Sequence, residues 1–226
     1  MKPTPRFRAV ILDMDGLVLD SEAGYFTAWQ LAAEAMGYRL SRDFCESLSG
    51  THGSVISQRL IEYLGADFDI DDFYRLSGQF WRERVELHGI PVKNGFDELL
   101  RCLRAYGLPY ALATNSRRVD AEYCLARAGL SEVFSVIVSR DEVANPKPAA
   151  DVFVKTAEAL QVKQQHCLVL EDSPIGVAAA NAACCPCIFV PSCLPADMHA
   201  SRLADFVMRD LAEVADFISA AFCHPL

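Results

Sequence analysis

Basic charge is what this sequence most conspicuously lacks. Lysine and arginine total 21 against 30 aspartates and glutamates, a formal net charge of −9 with an isoelectric point near 5.0. A nucleic-acid surface needs a basic face, so no nucleic-acid partner is expected. An anionic substrate would need local positive groups or a metal, because the global field repels it. An unbroken membrane-length apolar segment is also missing. The longest uncharged stretch, residues 173–196, is interrupted by Pro174, Asn181, Pro186, Pro191 and Pro195, which suits helix, turn and buried strand and no membrane span. No secretory leader is expected: residues 1–8 are basic, but Asp13 and Asp15 cut the apolar segment that should follow. The nine cysteines are odd in number and are expected as reduced thiols in a cytoplasmic protein. Repeats and low-complexity tracts are absent. Residues 20–88 contain neither a convincing strand nor a lysine. A monomer is the default expectation.

What is present is core-forming material, 52% apolar residues in a chain of 226. Short apolar runs at residues 7–12, 110–113, 136–138, 167–170 and 187–190 read as five strands. Between them the spacing turns helical. Phe96, Leu99, Leu100 and Leu103 make one apolar face, and Val119, Tyr123 and Ala126 are expected to point inward from the next helix. Pro148 can open a helix carrying Val152, Phe153, Ala157 and Leu160. Ser173 followed by Pro174 is a strong helix start. The last helix buries Leu211, Val214 and Ile218. Alternating strands and helices argue an α/β fold with a parallel sheet. The helical block of residues 20–88 interrupts it. Tyr25, Trp29, Ala32, Ala33 and Met36 mark its first helix, Ile56, Leu60 and Leu64 another, and Phe73, Leu76, Phe80 and Leu87 a third. The expected domains are therefore residues 1–19 with 89–226 as the core, and residues 20–88 as an insertion.

In such sheets ligands bind at the carboxyl ends of the strands, and there the polar residues gather. The first strand ends in Asp13 and Asp15, the second in Thr114, Asn115 and Ser116, and the fourth in Glu171 and Asp172; Lys147 sits between Pro146 and Pro148. Alternate residues of a strand share a face, so Asp13 and Asp15 can converge. Two carboxylates that close repel unless a cation or proton intervenes. Oxygen ligands of this kind suit Mg2+. Asp13, the Asp15 carbonyl and Asp172 could hold it, while Lys147 and the Thr114 hydroxyl could neutralise and orient a phosphate.

These four clusters, in this order, resemble the motifs of the haloacid dehalogenase superfamily, in the branch with a helical cap inserted after the first motif. The match runs through DxDGxxxD[ST] at residues 13–21, Thr114 at a strand end, the Lys147-Pro148 pair, and Glu171-Asp172 before Ser173. The resemblance spans nearly the whole chain and implies a Rossmann-like core with a helical cap. It implies that Asp13 is the nucleophile, forming an aspartyl-phosphate, and that Asp15 is the acid and base. Thr114, Asn115 and Lys147 would bind the phosphoryl group. Asp13, Asp15, Glu171 and Asp172 would hold magnesium, with Glu171 a ligand or an outer partner.

Departures narrow the choice. Dehalogenases of this superfamily lack the aspartate at Asp15, and phosphonatases add a cap lysine. β-Phosphoglucomutase carries a histidine where Tyr25 aligns and an arginine where Gly53 aligns. The expectation is a magnesium-dependent phosphatase of a small phosphorylated metabolite, a sugar phosphate or a related compound. A hexose-phosphate mutase and a catalytically silent binding protein remain the alternatives. His52 and Arg59, with Gly50 and Gly53, are candidates to touch the far end of the substrate. Cys184, Cys185, Cys187, Cys193 and His199 fit no usual zinc spacing and read as thiols in a core. The family's glycine after the helix of motif four is replaced by Ala183-Cys184-Cys185-Pro186, so a non-glycine residue at positive φ, or a different helix ending, is expected.

Overall fold

The structure, a computed structural model, describes residues 7–48, 53–192 and 195–223. Gly50, His52 and Cys193 lie outside the described residues. The chain divides into two compact units, one built from Met1–Leu19 and Pro91–Leu226, the other from Asp20–Ile90.

The first unit holds a six-stranded sheet of β1 (Ala9–Leu12), β2 (Tyr110–Ala113), β3 (Ile137–Val138), β4 (Cys167–Glu171), β5 (Cys187–Phe189) and β6 (Phe206–Val207). Their order is β3-β2-β1-β4-β5-β6 and every pairing is parallel. β1 and β4 are buried along their whole length, which is why they read as unbroken apolar runs without alternation. Leu12 is level with Leu112 on one side and Leu170 on the other. The next residue of β1's chain, Asp13, therefore leaves the sheet between Ala113 and Glu171. The sixth strand was not expected. It is a two-residue edge strand in which Val207 is exposed and Phe206 half-buried, so it adds no apolar run to the sequence.

The second unit is helical throughout its described regular structure: α1 (Glu22–Ala35), α2 (Arg42–Glu46), α3 (Gly53–Leu64) and α4 (Ile70–His88). Ala32, Ala33, Leu60, Phe68 and Phe73 form its centre. Leu87, expected inward, is 77% exposed in the last turn of α4. Tyr25 is also exposed, stacked at 5.2 Å on Trp81. α2 was not anticipated; it is five residues long and buries only Cys45. The excursion is pinned at its root. Leu19 bridges Val92 in antiparallel fashion, and the Lys93 N–H donates to the Val18 carbonyl at 2.9 Å.

Helices α5 (Phe96–Ala105), α6 (Arg118–Arg127), α7 (Asp151–Ala159), α8 (Pro174–Ala182), α9 (Met198–Leu203) and α10 (Leu211–Cys223) belong to the sheet unit. The apolar faces of α5 and α10 are buried as expected. α6 is turned differently. It buries Ala121, Cys124 and Leu125, while Val119 is 63% exposed. Its weakly amphipathic sequence let the more hydrophobic valine mislead. α7 starts at Asp151, not at Pro148. α8 begins as expected, with Ser173 Oγ accepting from the Gly176 N–H and Pro174 in the first turn. It ends with Cys184 at φ 56° and the Cys185 N–H donating to the Ala180 carbonyl at 3.0 Å. This left-handed helix stop is made without glycine.

Candidate active site

The sheet ladder carries β1 one residue past its end, where the Asp13 N–H donates to the Leu170 carbonyl at 3.1 Å. The chain then turns sharply. Val18 and Leu19 N–H groups return to the Met14 carbonyl at 3.0 and 2.9 Å, and Gly16 takes φ +82°. A Cβ on Gly16 would lie 2.1 Å from Asp172 Oδ2. The glycine is thus needed twice, for the left-handed turn and for the approach of Asp172.

Lys147 is the hub. Its Nζ donates to Asp13 Oδ1, to the Ala113 carbonyl at 2.9 Å and to Glu171 Oε1 at 2.6 Å, and it lies over the Phe153 ring at 4.9 Å. Its backbone is held by a reciprocal clamp. The Lys147 N–H donates to Asn115 Oδ1 at 2.9 Å and Asn115 Nδ2 donates to the Lys147 carbonyl at 3.1 Å. Both polar ends of the Asn115 amide are therefore engaged in placing Lys147. Glu171 is fully buried and braces the opposite side. Its Oε2 accepts from the Asp172 N–H at 3.2 Å, the Ser173 N–H at 3.3 Å and Ser173 Oγ at 3.0 Å. Gly176 makes room for it: a Cβ there would sit 1.8 Å from the Glu171 carboxyl carbon.

Thr114 is buried, and its Oγ1 accepts the Ser116 N–H at 3.0 Å. Ser116 Oγ in turn donates to Asp15 Oδ2 at 2.8 Å. Every residue given a part in the phosphoryl chemistry from the sequence thus lies at the carboxyl edge of β1, β2 and β4 or on the Lys147 segment bonded to it. Arg59, a candidate to touch the substrate, instead donates to the Ser47 carbonyl at 2.8 Å and to Ser47 Oγ at 3.0 Å. Four contributors had no assigned part: Ser116, Phe153, Ser173 as a support of Glu171, and Gly176. The glycine two positions after Ser173-Pro174 was the one readable signal among them.

The electrostatics are lopsided. Asp13, Glu171 and Asp172 can each bring an oxygen within 4.8 Å of the others, and Lys147 is the ammonium among them. Burial pushes the Asp13 carboxyl up to about 8; Lys147 opposes this, and Glu171 and Asp15 add to it. Burial pulls Lys147 down, but Asp13 and Glu171 more than offset it and raise its pKa above the ordinary lysine value. Three carboxylates sharing one ammonium leave a deficit of positive charge, and the donors are all oxygen. That set fits a hard divalent cation such as Mg2+. Among the described residues the cysteines form no such group. Cys45, Cys102, Cys124, Cys167, Cys184, Cys185 and Cys187 are free thiols, with Cys185 and Cys187 buried and Cys184 exposed.

A family model for haloacid dehalogenase-like hydrolases matches residues 10–190. The chain is 42% identical over 144 residues to a bifunctional riboflavin kinase/FMN phosphatase of Arabidopsis thaliana, covering 63% of this chain and 36% of that longer protein. It is 31% identical over 180 residues to the fructose-1-phosphate phosphatase of Escherichia coli, covering 79% of this chain and 93% of that one. Among solved structures, a hydrolase of the same superfamily from Deinococcus radiodurans, with bound phosphate and sodium, superposes with a TM-score of 0.81 at 27% identity. The superposition covers 98% of this chain and 99% of that one. No described helix is long and apolar enough to cross a membrane.

Proposed function

The chain belongs to the haloacid dehalogenase-like hydrolase family and is a phosphoric monoester hydrolase; from that premise we propose that it is a magnesium-dependent phosphatase of a small phosphorylated metabolite, a sugar phosphate or a related ester. The observation that carries this reading is Asp13, held by Lys147 beside Asp172 and Glu171, with the carboxyl of Asp15 two residues on. A halide leaves without a proton. An alkoxide does not, and Asp15 answers that need.

In this reading the Asp13 carboxylate attacks phosphorus. The new oxygen–phosphorus bond forms as the ester bond breaks, and the departing oxygen takes the proton of Asp15. Asp15, now a carboxylate, accepts a proton from the water that attacks the aspartyl-phosphate. The Asp13 carboxylate is regenerated and phosphate leaves. Lys147 and the Thr114 hydroxyl bind the phosphoryl oxygens, and Asn115 serves through the Lys147 backbone it clamps. Asp13, the Asp15 carbonyl and Asp172 would hold magnesium, with Glu171 as the outer partner, since both of its oxygens already accept hydrogen bonds. The ion would supply charge neutralisation at the phosphoryl group. The helical unit is assigned as the cap that selects the substrate. Free thiols throughout the described residues support a reducing compartment, the cytoplasm.

A phosphate-release screen over phosphorylated metabolites with magnesium tests the reading. Turnover is expected on at least one sugar phosphate, to be abolished by EDTA and restored by magnesium. Asp13→Asn should fold normally and lose activity by about 10³-fold or more. Full activity without metal, or retained turnover in that variant, would overturn the assignment. An isomerised sugar phosphate in place of free phosphate would move the protein to the mutase reading.

A further inference from the structure

Beside the Lys147 ammonium, a hydroxyl also links the segments that follow β1 and β2. Ser116 Oγ donates to Asp15 Oδ2 at 2.8 Å, across 101 positions of sequence. The serine is itself fixed by its main chain. Its N–H donates to Thr114 Oγ1 at 3.0 Å, and its carbonyl accepts the Arg140 N–H at 3.2 Å. Those two bonds shape the turn after β2, and neither uses the Ser116 side chain. The hydroxyl is therefore not needed to build the turn, and the partner it reaches is the carboxyl that must meet the leaving group.

We propose that Ser116 is the positioning residue for Asp15, holding one carboxyl oxygen so that the other transfers the proton. The contact engages Oδ2 and leaves Oδ1 as the oxygen presented to a leaving group. Removing the hydroxyl takes away one bond that sets the direction of this short side chain. Proton transfer demands hydrogen-bond reach in a defined direction, and a misplaced acid loses much of its effect. The inference rests on the phosphatase reading, in which Asp15 protonates the departing oxygen as the Asp13–phosphorus bond forms.

The test compares kcat/KM, which reports that first phosphoryl transfer, for wild type, Ser116→Ala and Ser116→Thr with magnesium. The two probes are p-nitrophenyl phosphate and phenyl phosphate. p-Nitrophenolate departs readily without a proton, whereas the more basic phenolate needs one. Ser116→Ala should lose about 10- to 100-fold on phenyl phosphate and less than about 3-fold on p-nitrophenyl phosphate. Ser116→Thr, which keeps the hydroxyl, should recover most of the loss. A merely structural serine would depress both esters alike. Equal losses, no loss on either ester, or a threonine variant no better than alanine would overturn the tether while leaving the phosphatase reading intact. If the wild type acts on a sugar phosphate but on neither aryl ester, the comparison is made on that sugar phosphate, whose alkoxide needs the proton. A Ser116→Ala variant as fast as wild type there would overturn the tether. A wild type without turnover in the whole metabolite screen would sink the phosphatase reading itself.

Discussion

Gly176 occupies a place where no side chain fits. Its Cα faces the fully buried Glu171 carboxyl, which also holds Lys147. Adding one methyl must displace that carboxylate, and the displacement passes directly to the ammonium. Gly176→Ala should therefore cost about 2–3 kcal/mol in urea unfolding, the range for overpacking a dense core. It should also lower turnover by at least about 10-fold. An alanine variant with wild-type stability and activity would show that the Glu171–Lys147 brace is dispensable. The contrast with the other site residues is instructive. Asp13, Asp15, Thr114, Glu171 and Asp172 were readable because strand ends announce themselves as apolar runs stopping in polar residues, and Lys147 because it stands between two prolines in its place in the motif order. The Asn115 clamp and the Ser116 bond are consequences of approach between distant segments, which no local pattern encodes; Gly176 left only the local sign of a glycine just inside a helix start.

At the level of elements, the turn that follows β3, and meets the start of α6 through Arg118, depends on one buried hydroxyl. Ser139 Oγ donates toward Asp141 Oδ1 and Glu142 Oε2, each at 2.7 Å. The Ser139 N–H also donates to Glu142 Oε2 at 2.9 Å, and the Arg118 N–H donates to Asp141 Oδ1 at 2.9 Å. The Ser139 bond holds the Asp141 carboxyl below its ordinary 3.8. For Glu142 burial acts upward, but the Ser139 bonds and Arg118 outweigh it and bring the group below 4.5. Carboxyls with depressed folded-state values add stability that is complete above the ordinary values and is lost as pH falls through the folded ones. Ser139→Ala should cost about 1–2 kcal/mol at pH 7. Its urea midpoint should also fall less than wild type's between pH 5 and about 3, a titration in which parallel curves would contradict the account. Elements of this size were the hardest to foresee. Long apolar faces such as that of α5 dictate their own burial. The two-residue β6 and five-residue α2 bury too little to leave a pattern, and the weakly amphipathic α6 carries no apolar stripe from which its buried side, Ala121, Cys124 and Leu125, could be read.

For the whole molecule, the thiols report how the core is closed. Burial pushes Cys45 and Cys167 up to about 11, and Cys124 and Cys185 up to about 12, with Cys187 also raised. Only thiolate reacts with iodoacetamide. Native protein at pH 8 should therefore label at exposed Cys184 well before these five, which should open to the reagent only on unfolding; peptide mass spectrometry reads the order. A buried cysteine that labels as fast as Cys184 would mean that the core opens readily in the native state. The parallel architecture at this scale was legible, because strand and helix patterns alternate along the chain and parallel strands need such crossovers. The bridge between Leu19 and Val92 has its own consequence. To the sheet, everything between those two residues is a single closed loop. Loop-closure entropy grows only logarithmically, by about 0.6 kcal/mol for each doubling of length. The sheet is thus nearly indifferent to how much chain hangs from that stem, and the excursion is free to lengthen, shrink or be exchanged over evolutionary time while the reacting groups at the strand ends keep their places.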